Sequence, residues 1–159
     1  MKIYSKTWES HIPIPIEEAW AYFSRPENLN ELTPDDMDFE IVTDVSGIEM
    51  YEGMLIQYRV APLLNIKLNW VTEITKIDHL NYFIDEQRFG PYALWHHEHH
   101  FESTDYGTRM IDKLQYGLPF GFLGTLMHKP LVGKRVEEIF EYRAEKLKTL
   151  FPERKKVLV

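Results

Sequence analysis

The segment Trp95-His96-His97-Glu98-His99-His100-Phe101, answered across Gly107 by Met110-Ile111-Asp112-Lys113-Leu114-Gln115-Tyr116, constrains the fold of this chain more than any other. Strand side chains alternate between faces, so Trp95, His97, His99 and Phe101 share one side while His96, Glu98 and His100 share the other. With Thr104-Asp105-Tyr106-Gly107 as the loop and Gly107 at a position wanting positive φ, Ser103 opposes Thr108. The ladder then pairs Phe101 with Met110, His99 with Asp112, His97 with Leu114 and Trp95 with Tyr116, all on one face. Arg109, Lys113 and Gln115 fall on the opposite face beside Glu98, and a slip of one residue would put the two cations among the aromatics. The pattern predicts an antiparallel sheet with one wet face and one face turned to a core or a cavity.

The rest of the chain supplies partners for that hairpin. Residues 2–12 read as a first strand, stopped by Pro13 and Pro15 before a helix whose start carries Glu17 and Glu18. A second short helix is expected over 25–32, and Pro34 with Asp35-Asp36 then punctuates the chain. Strands follow at 39–43, 54–61, 66–77, 81–88, 93–103 and 108–117. From Phe122 to Phe151 the period becomes helical, with Val132, Val136, Ile139, Phe140, Arg143, Leu147, Leu150 and Phe151 on one stripe and Pro130 kinking the start. This order predicts an α+β fold: a seven-stranded curved antiparallel sheet, two short helices between its first two strands, and one long closing helix. A single helix cannot fill the concave face of so large a sheet, so a hollow is expected. Tyr58, Trp70, Trp95, Phe101, Met110 and Tyr116 fall on the inferred inner faces, where rigid aromatics and adaptable methionine suit a small apolar ligand.

With 159 residues and no repeat or low-complexity linker, residues 1–159 form one domain. The formal net charge of −7 argues against nucleic acid or an anionic membrane as the main partner. The one basic run, Arg154-Lys155-Lys156, is a short tail after Pro152. The lack of cysteine removes disulfides, thiolate chemistry and Cys-type zinc sites. Met1-Lys2-Ile3-Tyr4 runs straight into strand-like sequence, so no signal peptide, no membrane span and a cytoplasmic location are expected.

The run Phe83-Ile84-Asp85-Glu86-Gln87, Gly90-Pro91-Tyr92, Trp95, His97, His99, Phe101, Gly107-Thr108, Asp112, Tyr116, Leu118-Pro119-Phe120-Gly121 and Gly124 resembles a bacterial branch of the SRPBCC ligand-binding proteins. These belong to the START-like, helix-grip superfamily, and Ile14-Pro15-Ile16-Glu17-Glu18-Ala19-Trp20 with Thr33-Pro34 extends the likeness over nearly the whole chain. The resemblance implies a cavity between the curved sheet and the last helix. It also implies an epimerase-like protein partner, because relatives of this branch occur joined to epimerase-like nucleotide-binding domains. A two-residue turn at Gly90-Pro91 would face Ile84 and Glu86 inward, whereas a bulge or longer turn would face Asp85 and Gln87 inward. The resemblance favours Asp85 and Gln87.

His97, His99 and Asp112 are the candidate catalytic residues, as an acid/base group or a two-histidine, one-carboxylate metal site. A hydrogen-bonded strut that gives a ligand one polar anchor is the preferred reading, since no nucleophile sits in the motif. No metal ion and no cofactor are expected, because the sequence fixes neither a third ligand nor an open coordination geometry. His96, Glu98 and His100 read as a solvated surface, His128 as surface or rim, and Gly117, Gly121 and Gly124 as a bend into the helix. Three functions follow: carrier or sensor of a small hydrophobic molecule such as a lipid or polyketide-like compound, favoured here; an enzyme of cyclase, dehydratase or hydrolase type; and a protein-interaction module.

Overall fold

A computed structural model describes residues 1–153, and the basic run Arg154-Lys155-Lys156 lies outside the described residues. Seven strands form one antiparallel sheet: β1 (Ile3–Ile12), β2 (Glu40–Ile41), β3 (Leu55–Val60), β4 (Leu68–Asp78), β5 (Tyr82–Phe89), β6 (Leu94–Thr104) and β7 (Gly107–Gly117). The spatial order is β1-β7-β6-β5-β4-β3-β2, so every neighbour but β1 is joined by a local hairpin or loop. The β6–β7 register is the expected one, including Phe101 with Met110, His99 with Asp112, His97 with Leu114 and Trp95 with Tyr116. Gly107 has φ 133°, and a Cβ there would stand 2.2 Å from the carbonyl oxygen of Ile12, so the hairpin tip and the end of β1 approach only because the side chain is absent.

Two register shifts in the β4–β5 ladder, one leaving out Arg88 of β5 and one leaving out Thr75 of β4, bend the sheet. Strand β2 is shorter than expected. Val42 N–H and Thr43 N–H both donate to the Gln57 carbonyl, at 2.8 and 3.2 Å, and two donors on one acceptor end the regular ladder.

Helix α1 (Ile16–Phe23) follows β1 and buries Ala19 and Trp20. The second short helix is a 3-10 segment, Pro26–Asn30, with proline in its first turn, and a further 3-10 turn spans Asp35–Met37. The closing helix runs as α2 (Gly121–Met127), one wide π-type turn at His128–Val132, and α3 (Gly133–Leu150). Pro130 sits inside that wide turn, where its missing N–H and its ring disturb the regular bond pattern.

The stripe on α3 buries Val136, Phe140 and Leu147, each contributing about 1.5–3 kcal/mol by removal from water. Phe140 stacks on Trp8 of β1 at 3.7 Å, and the Trp8 indole N–H donates to Glu137 at 3.0 Å. Tyr4 stacks on His128 at 3.4 Å, and the Tyr116 hydroxyl lies 2.8 Å from His128 Nε2. His128 is therefore part of the helix seat and not simply surface, because the π-type turn brings it against β1 and β7. These contacts fasten the helix over one part of the sheet, while α1 covers Phe101 and Met110 on another.

Candidate functional site

A cavity of about 170 Å³ lies between the concave sheet, the segments after α1 and the face of α3 carrying Ile139 and Arg143. Tyr58, Trp70, Tyr92 and Trp95 form an aromatic part of the lining, and Leu32, Met37, Phe39 and Met50 also line it. Trp70 stands edge-on to Trp95 at 5.2 Å and stacks with Tyr58 at 5.9 Å, while Tyr92 contacts Trp95 at 4.8 Å. The polar tips of Tyr58 and Trp70 are satisfied within the wall. The Trp70 indole N–H donates to Thr72 Oγ1 at 3.1 Å, and the Tyr58 hydroxyl bonds the same oxygen. Burial holds the Tyr58 phenol far above its ordinary range, so it stays neutral.

The polar part of the cavity comes from three adjacent strands. Asp85 of β5 pairs with His97 of β6, and His99 of β6 pairs with Asp112 of β7, so two carboxylates flank two imidazoles on the inner face. His97 Nε2 is 2.9 Å from Asp112 Oδ1, and His99 Nε2 is 2.8 Å from Asp85 Oδ2. Two further approaches close the ring: His97 Nδ1 to Asp85 at 3.4 Å and His99 Nδ1 to Asp112 at 3.0 Å. The latter is near enough for charge attraction but not aligned as a hydrogen bond.

Burial acts to raise the Asp85 and Asp112 carboxyls, and hydrogen bonds from both histidines overcome it, holding both well below the usual carboxylate range. For His97, burial opposes the charge, but bonds to Asp112 and Asp85 outweigh it and raise the imidazole.

Of the expected site residues, Tyr58, Trp70, Asp85, Trp95, His97 and His99 line the cavity. Five do not. Asp112 lies on β7, bonded to the histidines without itself lining the cavity, and Phe101, Met110 and Tyr116 are buried in the core, where α1 and the closing helix cover them. Gln87 holds the turn: its amide donates to the Tyr92 carbonyl at 2.7 Å and accepts from the Tyr92 N–H at 3.1 Å. The His-Asp pairing is also rearranged, since Asp112 bonds its diagonal neighbour His97 and His99 bonds Asp85.

Sequence reasoning missed Thr72, Tyr92 and Arg143, of which only Arg143 left a signal, as a cation interrupting an apolar helical stripe. His96, Glu98 and His100 lie on the outer face, where Glu98 approaches both imidazoles, at 3.4 and 2.6 Å.

The residues that could hold a metal are Asp85, His97 and His99, not the trio with Asp112. One donor atom of each falls within 4.8 Å of the others.

A second, outer cavity of about 260 Å³ lies between Pro62-Leu63, Pro91-Tyr92, Leu118-Pro119 and α2. Pro62 and Tyr92 line both cavities and separate the outer one from the inner. Beside it Phe120, Phe122, Leu123 and Leu126 are exposed. Among the described residues no helix is long and apolar enough to cross a membrane.

No family model matches the sequence, and no curated protein matches it either. Solved structures do match in shape. TTHA0849 from Thermus thermophilus is 21% identical, with 93% of this chain and 95% of that one covered at a TM-score of 0.63. Protein CV1439 from Chromobacterium violaceum is 13% identical over 92% and 96%, at 0.68. The major latex-like protein 151 of Panax ginseng is 11% identical over 94% and 98%, at 0.69. At such identities the likeness is one of fold: this chain has the helix-grip fold, a curved antiparallel sheet closed by a long C-terminal helix.

Proposed function

We propose that the protein is a carrier or sensor that binds a small, largely apolar molecule in the inner cavity. The observation that carries this reading is the combination of an aromatic wall with a self-contained polar group. Tyr58 and Trp70 satisfy their polar atoms on Thr72, and the two carboxylates are taken up by the histidines, Asp112 by His97 and Asp85 by His99, with His99 Nδ1 left without an aligned partner. Such a lining asks little of a ligand beyond shape and apolar surface, with one or two polar contacts to orient it. The outer cavity gives an apolar approach, with Tyr92 at the boundary. Native mass spectrometry of the purified protein tests this. A co-purifying apolar molecule, lost on filling the cavity with Ile139→Trp, supports it; a wild-type protein that neither retains nor takes up any such molecule contradicts it.

A second reading, an enzyme, is favoured by one observation: His97, His99 and Asp85 border the open cavity. His97, whose imidazole is raised by the carboxylates on either side of it, would act as a general acid in such chemistry. Turnover of a bound compound that His97→Gln abolishes without loss of binding would select it. A third, docking of an epimerase-like protein, is favoured by the exposed Phe120, Phe122, Leu123 and Leu126. Pull-down of such a protein by wild type but not by Phe122→Ser tests it.

A further inference from the structure

Helix α3 sends two residues into the cavity one turn apart, Ile139 and Arg143. The first is what an apolar wall requires. The second is not, because a guanidinium brings five N–H donors in a planar fork. The Arg143 side chain is only 12% exposed, and the carboxylate it meets, Asp112 Oδ1, stands 3.9 Å away, beyond hydrogen-bond reach. That oxygen is already 2.9 Å from His97 Nε2 and 3.0 Å from His99 Nδ1. Arg143 Nε is buried with no partner, and the rest of the group leans over the Phe140 ring at 5.2 Å. The fold thus keeps a desolvated cation at the cavity wall and commits the nearby acids to histidines. A bound anion would supply the missing acceptors.

Resting on the cavity-binding reading above, we propose that the ligand is a small carboxylic acid: Arg143 takes its carboxylate in a two-bond fork while its ring or chain lies among Tyr58, Trp70, Tyr92 and Trp95. A carboxylate is preferred to a phosphate because Asp85 shares the cavity, and a second negative charge would be set against it. The volume of about 170 Å³ fits an acid of one or two rings or an equally short chain. An engineered apolar cavity of about 150 Å³ takes benzene.

The test is titration of the full-length protein with phenylacetate, its neutral amide and phenyl phosphate, read by tryptophan emission and calorimetry. Wild type binds the acid about ten- to a hundredfold more tightly than the amide, the increment of a charged hydrogen-bonded pair. Arg143→Gln removes that preference and leaves amide binding in place. Arg143→Lys keeps part of it, since a point charge cannot form the fork.

Equal binding of acid and amide by wild type overturns the carboxylate assignment and leaves the cavity reading standing. Tighter binding of the phosphate overturns the choice of acid. Binding of none of the three overturns both readings. The wild-type comparison needs no variant, and thermal melting shows which variants are folded.

Discussion

His97 Nε2 and Asp112 Oδ1 lie 2.9 Å apart although the two residues are not opposite one another in the ladder, where Asp112 faces His99. The bond runs diagonally across β6 and β7, a separation that long side chains in a twisted sheet can span. His99 turns to Asp85 on the other flank, so one element pair does not own the cluster. Each bond needs two strands in register, and the complete cluster needs three.

Asp112→Ala should therefore destabilise the protein by about 3–5 kcal/mol, because it strands a buried imidazolium. Urea unfolding measures this. The double variant His97→Phe/Asp112→Leu should lose less than the sum of its singles, with a coupling of about 0.5–3 kcal/mol. Strict additivity would mean that the pair does not interact.

Stability should depend on pH in two directions. Asp85 and Asp112 titrate lower when folded, so their contribution is complete above about pH 4 and is lost as pH falls through the folded values. His97 titrates higher when folded, so its contribution is complete below about pH 6.5 and is lost as pH climbs through the raised value. The unfolding midpoint should be highest between these limits, and His97→Gln should flatten the alkaline limb. A midpoint rising steadily from neutral to alkaline pH would contradict the assignment.

Thr72→Val keeps the shape of the wall but leaves the Tyr58 hydroxyl and the Trp70 N–H without their shared partner. It should cost about 1–3 kcal/mol per stranded group in chemical denaturation. No change in stability would show that neither group depends on Thr72.

Tyr92→Ala removes a side chain shared by the inner and outer cavities. Stopped-flow fluorescence with a small aromatic ligand should show faster association and faster release, with a smaller change in Kd. Unchanged rates would place the entry route elsewhere.

Most of the architecture is legible in the residues because period-two alternation and helical stripes report burial directly. The pairing of Trp95 with Tyr116 and of His99 with Asp112 follows from charge exclusion on one face. The site is only half legible. Facing shows that Met110 and Phe101 point inward, but not that α1 packs over that end of the sheet and leaves them in solid core. Gln87 shares a face with Asp85 yet is captured by the backbone of Tyr92, a choice decided by a turn of nine residues between Glu86 and its partner His96. Thr72 shares the inner face of β4 with Trp70, and Tyr92 sits in the turn after β5, but neither position by itself reports that it borders a cavity.

Calorimetric titration of indole, a neutral single-ligand probe of the inner cavity, tests the central claim most directly when wild type is compared with Ile139→Trp at several temperatures. Wild type should bind indole saturably, one to one, with a negative heat-capacity change, and a variant that melts normally should lose that binding. Equal binding by both proteins, or none by wild type, would contradict the claim.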